Sequence, residues 1–106
     1  MKKITYNKLV RDRIPEIIRQ AGKTCICSVL TDEEYLRLLD EKLNEELAEY
    51  QESKSMEELA DLLEVIQAVA RARGSSPEEV ERIRKSKAEK RGGFEERILL
   101  EEVEEP

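Results

Sequence analysis

Histidine is absent from the 106 residues, and this absence excludes more chemistry than any other feature of the composition. Imidazole-ligated metal sites, Ser-His or Cys-His nucleophiles and histidine general bases cannot be assembled from this chain. Base chemistry falls to carboxylates or to water activated by a metal. Tryptophan is also missing, and three Tyr with one Phe are the whole aromatic complement. No aromatic pair marks a base-stacking pocket, so Tyr6, Tyr35, Tyr50 and Phe94 are read as packing residues. Cys25 and Cys27 are the only cysteines. Two thiols cannot complete a tetrahedral zinc site, and at i, i+2 in an extended segment they share one face as small apolar strand residues. No apolar run approaches the roughly 20 residues needed to span a bilayer. The Met-Lys-Lys start has no apolar segment after it as a signal peptide would, and a cytoplasmic protein with no membrane partner is expected.

Charge is abundant. Lys and Arg number 19 against 25 Asp and Glu, for a net charge of −6. A nucleic-acid polymer is therefore not expected as a general partner, because its phosphates would be repelled on average. Leu, Ile, Val and Phe make up about a quarter of the chain, above the disordered range, so it should fold. Its length suits a single domain, residues 1–106. With 42% of residues charged, the core of one chain is modest and pairing of subunits is expected.

Along the chain, residues 1–11 read as an ordered arm or short extended piece. A helix is expected from about Asp12, with Pro15 tolerated in its first turn and Gly22 ending it. The alternating run Thr24 to Leu30 reads as a strand. Thr31-Asp32-Glu33-Glu34 has the form of a capping box opening a second helix to about Glu52. After Ser53-Lys54-Ser55, a second such box, Ser55-Met56-Glu57-Glu58, opens a third helix that continues to about Arg73 and stops at Gly74. The two helices should form an antiparallel hairpin. Ser76 before Pro77 starts a fourth helix that ends near Arg91, before Gly92-Gly93. The fold class expected is mainly α, a helical hairpin or four-helix bundle. A small two-stranded sheet, about 25–30 with 94–100, is the simplest pairing for the extended segments, with the acidic tail from Glu101 solvated.

In so acidic a chain, Glu-x-x-Glu and Glu-x-x-Asp spacings arise by accident, and orientation is more informative. At about 100° per residue, Leu36, Leu39, Leu43, Leu47 and Tyr50 form one stripe of the second helix. Glu46 falls inside the arc they share with Tyr35, and Glu49 at its edge. In the third helix Leu59, Leu62, Val65, Ile66 and Val69 define an apolar face that contains Glu58, with Asp61 between Val65 and Ala68. Glu41, Glu45, Glu52, Glu57 and Glu64 point away from these stripes, Glu45 and Glu57 bordering the arc.

Burying unpaired carboxylates costs several kcal/mol or forces protonation. A divalent cation supplies the compensation, and oxygen-only ligation selects a hard ion, Mg²⁺ or Mn²⁺. The competing reading pairs the same acids with Lys42, Arg37 or a basic residue of another helix. Lys87, Lys90 and Arg91, at i, i+3, i+4, read equally as a phosphate clasp or as cations complementing a helix C-terminus. Lys8, Arg11 and Arg13 form a second basic cluster around Asp12.

With Glu45-Glu46-Leu47-Ala48-Glu49 and Glu58-Leu59-Ala60-Asp61, the chain resembles the all-α nucleoside triphosphate pyrophosphohydrolases of the MazG-like superfamily. Their signature is Glu-Glu-x-x-Glu followed by Glu-x-x-Asp. The segments Tyr6 to Pro15 and Lys87 to Phe94 look like a compact house-cleaning branch, sometimes labelled phosphoribosyl-ATP pyrophosphohydrolase-like, and the likeness covers nearly the whole chain. The resemblance implies metal ligation by Glu46, Glu49, Glu58 and Asp61, the acids that orientation also singles out. It further implies a hairpin that dimerises or tetramerises, and cleavage between the α and β phosphates of a nucleotide. In the mechanism that fits, Glu46 or Glu49 accepts the proton, with Glu45 behind them. Lys87, Lys90 and Arg91 hold phosphates, and Asn7, Lys8, Arg11 and Asp12 close the site. Only Tyr50 to Glu57 separates the two signatures, shorter than is usual among relatives, so the hairpin must turn tightly. Phosphoribosyl-ATP as substrate, and a non-enzymatic helical interaction module, are the alternatives.

Overall fold

Four helices form in a computed structural model that describes residues 2–106, three of them opened by a capping side chain. The first, α1 (Ile14–Gln20), carries Pro15 in its opening turn, where a missing N–H leaves no bond unmade. Gly22, at φ 81°, closes it. The second, α2 (Asp32–Ser53), opens with a complete capping box. The Glu34 N–H donates to the Thr31 hydroxyl at 3.2 Å while the Glu34 carboxylate accepts from the Thr31 N–H at 3.1 Å. Lys54 then adopts the left-handed conformation, φ 58°. Ser55 accepts from the Glu58 N–H at 3.3 Å, so two residues suffice to reverse the chain into α3 (Met56–Ala72). Ser76 caps α4 (Pro77–Arg91) by accepting from the Glu79 N–H at 3.1 Å.

The protein is mainly helical, and its central unit is the antiparallel hairpin of α2 and α3. Asp40, in the first half of α2, accepts from Arg73 just past the end of α3 at 3.0 Å. Glu46, further along α2, meets Glu58 and Asp61 near the start of α3. Those two crossings fix the register. Among the described residues Leu39, Val65 and Ala70 are the buried apolar ones, and Glu46 is buried as well, at 7% exposure. The fourth helix packs on α3 and not on α2.

Residues 25–30 and 94–100 do not form the expected two-stranded sheet; among the described residues there is no strand. Alternation favours a strand only where a face is covered, and Ile26 and Val29 are fully exposed, with Ile98 and Leu100 nearly so. A turn also interrupts the second segment. Arg97, at φ 60°, donates its N–H to Phe94 O at 3.2 Å, a geometry that breaks a regular ladder. Cys25 and Cys27 are free thiols whose sulfurs lie 3.9 Å apart.

The radius of gyration is 19.0 Å and the long dimension 70 Å, whereas a compact chain of this length has a radius of about 13 Å. One copy therefore leaves large apolar side chains uncovered on α3 and α4 and along the C-terminal segment, Leu63, Ile83, Phe94 and Leu99 among them. No helix among the described residues is long and apolar enough to cross a membrane.

Leu39 is the most completely buried apolar side chain, at 3% exposure. Leu39→Ala should lower unfolding stability by about 2–4 kcal/mol, read by urea denaturation, while Ile26→Ala should stay within about 0.5 kcal/mol of wild type.

Candidate metal centre

The tight Lys54-Ser55 turn brings the C-terminal half of α2 against the first turns of α3, and acids on the two helices meet there. Carboxylate oxygens of Glu46, Glu58 and Asp61 lie within 4.8 Å of one another, and so do those of Glu45, Glu46 and Glu49. Glu46 belongs to both groups and lies deepest. Glu49 is exposed, and Glu58 and Asp61 are half-buried. Two of the buried oxygens, Oε2 of Glu46 and Oε2 of Glu58, have no hydrogen-bond partner in the chain. Leaving one such atom unsatisfied costs about 1–3 kcal/mol, more when it is charged.

The titration of these acids follows from their surroundings. Burial, the adjacent Glu49 carboxylate and Asp61 push Glu46 above its usual value, against the pull of Lys42. Glu58 is raised by burial, by Glu49 and by Asp61. Glu45 behaves oppositely: burial would raise it, but the Lys8 hydrogen bond and the charges of Lys42 and Lys8 bring it below the usual value. Lys8 is raised in turn, chiefly by its hydrogen bond to Glu45.

Part of the competing ion-pair network is present. Lys42 stands 3.4 Å from Glu45 and 3.5 Å from Glu46, one and the same ammonium serving both. Arg37 pairs with Glu41 at 3.4 Å, not with the central acids. From the N-terminal arm, Lys8 donates to Glu45 at 3.0 Å and Arg11 to Asp61 at 2.6 Å. Five clustered carboxylates thus face three cations, which leaves two negative charges without a partner. Oxygen donors alone, two of them buried and unpaired, fit a hard divalent cation such as Mg²⁺.

A cleft of about 480 Å³ opens beside the cluster, between the arm and the hairpin. Arg11, Asp12, Lys42, Glu46 and Asp61 line it, together with Arg13, Tyr35, Glu64 and Arg71. Asn7, at φ 47°, and Lys8 lie outside that lining, although Lys8 is joined to the cluster through Glu45. Lys87, Lys90 and Arg91 are exposed on α4 and do not line the cleft. Helical spacing already made Lys42 a partner for Glu46. Nothing in the spacing points to Arg71, and Glu45, at the border of the apolar arc by spacing, is partly covered by the arm through Lys8.

No family model matches the chain, and no solved structure matches it. A protein of Mycolicibacterium smegmatis, described only as uncharacterized, is 57% identical over 42 residues, 40% of this chain and 43% of that protein. The matched stretch therefore spans less than half the length of that relative.

The pH dependence of stability should divide around the ordinary carboxylate value of 4.5. Glu46 and Glu58 hold their protons more tightly folded than unfolded, so their contribution to stability should fall as pH rises from that value through their folded pKa. Glu45 contributes stability above the same value and loses it as pH falls through its depressed pKa. In metal-free urea titrations, Glu46→Gln should flatten the decline above pH 4.5 and leave the acid limb in place.

Proposed function

We propose that the protein is a metal-dependent nucleotide pyrophosphohydrolase of the MazG-like type, cleaving between the α and β phosphates to release a nucleoside monophosphate and pyrophosphate. The observation that carries this reading is the pair of buried, unpartnered carboxylate oxygens of Glu46 and Glu58 at the meeting of the two helices. They belong to the same four acids, Glu46, Glu49, Glu58 and Asp61, that the family resemblance names as ligands. These four would hold Mg²⁺, with Mn²⁺ as a substitute. When bound, such an ion supplies charge neutralisation at phosphate oxygens and Lewis acidity toward water.

The chain's own groups account for the remaining steps. Glu49 is the most exposed of the four acids, so it can meet an incoming water and take its proton, with Glu46 behind it as the alternative acceptor. Arg11 and Asp12 line the cleft beside the acids, where a guanidinium can form paired hydrogen bonds to phosphate. Lys42 bridges the carboxylates of Glu45 and Glu46. Lys87, Lys90 and Arg91 lie outside the cleft lining and carry no step of this reading. A second copy covering the apolar residues left exposed on α3 and α4 completes the proposed homo-oligomeric bundle.

The ion-pair network around Lys8, Arg11 and Lys42 favours one other reading, a non-enzymatic helical interaction module in which these cations alone neutralise the acids. It predicts no change of stability with Mg²⁺ and no phosphate release. For the enzyme, pyrophosphate release from a panel of standard and damaged nucleoside triphosphates and phosphoribosyl-ATP should depend on Mg²⁺. Glu49→Gln and Asp61→Asn should each reduce kcat/KM by at least about 100-fold; full activity in both variants overturns the site.

A further inference from the structure

The acids and the arm are joined by two ion pairs of different kinds. Residues 2–11 have no regular secondary structure, yet Arg11 reaches Asp61 at 2.6 Å and Lys8 reaches Glu45 at 3.0 Å. Asp61 is one of the four proposed metal ligands; Glu45 is not. The Arg11 and Asp61 side chains are 58% and 42% exposed, so their attraction is screened by water and is weak enough for a divalent ion to displace. Glu45 is less accessible, at 29%, and is held from its other oxygen by Lys42. The two unpaired oxygens of Glu46 and Glu58 are buried, and neither arm cation pairs with them.

Resting on the metal-centre reading, we propose that Arg11 is a displaceable counter-cation of the site and Lys8 the tether that remains. Asp61, turned toward a divalent ion that the unpaired oxygens would help to hold, would release Arg11. The freed guanidinium stays at the cleft, because Lys8 keeps the arm on Glu45 and because Arg11 lies between residues that line the cleft on both sides. It then turns to a phosphate oxygen, for which its planar fork of donors is suited. No bond is made or broken in this exchange; one ion pair replaces another. Metal entry thereby arms the phosphate site, and the two affinities move in opposite directions when Arg11 is lost.

Calorimetry on the full chain separates this role from a merely structural one. Arg11→Gln should bind Mg²⁺ roughly two- to fivefold more tightly, the range set by one exposed ion pair, and should bind inorganic triphosphate at saturating Mg²⁺ more weakly. Arg37→Gln removes the same charge from a residue outside the cleft lining, paired with Glu41 at 3.4 Å, and should leave Mg²⁺ affinity at the wild-type value. In ¹⁵N spectra the Arg11 guanidinium signal should move to the free-arginine position as Mg²⁺ is added. An unmoved Arg11 signal at saturating Mg²⁺, or equal Mg²⁺ affinity in the two variants, overturns the exchange while the metal centre stands. A wild-type protein that binds no Mg²⁺ removes both.

Discussion

The carboxylate of Glu46, buried between two helices with one oxygen unpartnered, is the constraint on which the rest of the arrangement depends. A helix interface normally excludes such a group, because charge taken from water must be compensated by a partner or by a proton. Here the hairpin turn leaves no alternative. Lys54 and Ser55 reverse the chain so tightly that Glu46, in the C-terminal half of α2, meets Glu58 and Asp61 in the first turns of α3. The repulsion among them appears in the raised pKa values of Glu46 and Glu58, each pushed by Glu49 as well as by burial.

Compensation by protein cations is incomplete, and its distribution is informative. Lys42, Lys8 and Arg11 reach oxygens of Glu45, Glu46 and Asp61, while Oε2 of Glu46 and Oε2 of Glu58 are buried without a partner. A purely structural network would gain by satisfying the most buried atoms first, since the unsatisfied buried group carries the larger penalty. Two buried oxygens left open are the physical basis for proposing a small, highly charged ion beside them and a movable cation on the arm.

The hairpin also explains why so little of the chain is buried. Leu39, Val65 and Ala70 form a narrow seam, and part of the interface that could have extended it is occupied by acids. Apolar side chains on the outer faces of α3 and α4 remain open to water, and the long dimension reaches 70 Å. The same acidic interior that suits the proposed chemistry thus limits what a single copy can contribute to its own stability.

The helices and the orientation of the central acids were legible in the sequence because both depend on local periodicity. Thr31, Ser55 and Ser76 carry capping signals read over three residues, and the 3.6-residue repeat puts Glu46 and Glu58 among leucines before any packing is known. The extended segments were not legible in that way, since alternation in 25–30 and 94–100 names a strand but not a partner, and Arg97 takes a left-handed turn instead. Nor could spacing place Lys8 beside Glu45 or Arg11 beside Asp61, contacts that span 37 and 50 residues. By itself the sequence determined where helices start, stop and turn their acids inward, because those are interactions within a few residues. Only the tertiary structure decided which cations reach those acids and which oxygens are left without one, because that depends on where a distant, irregular arm comes to rest.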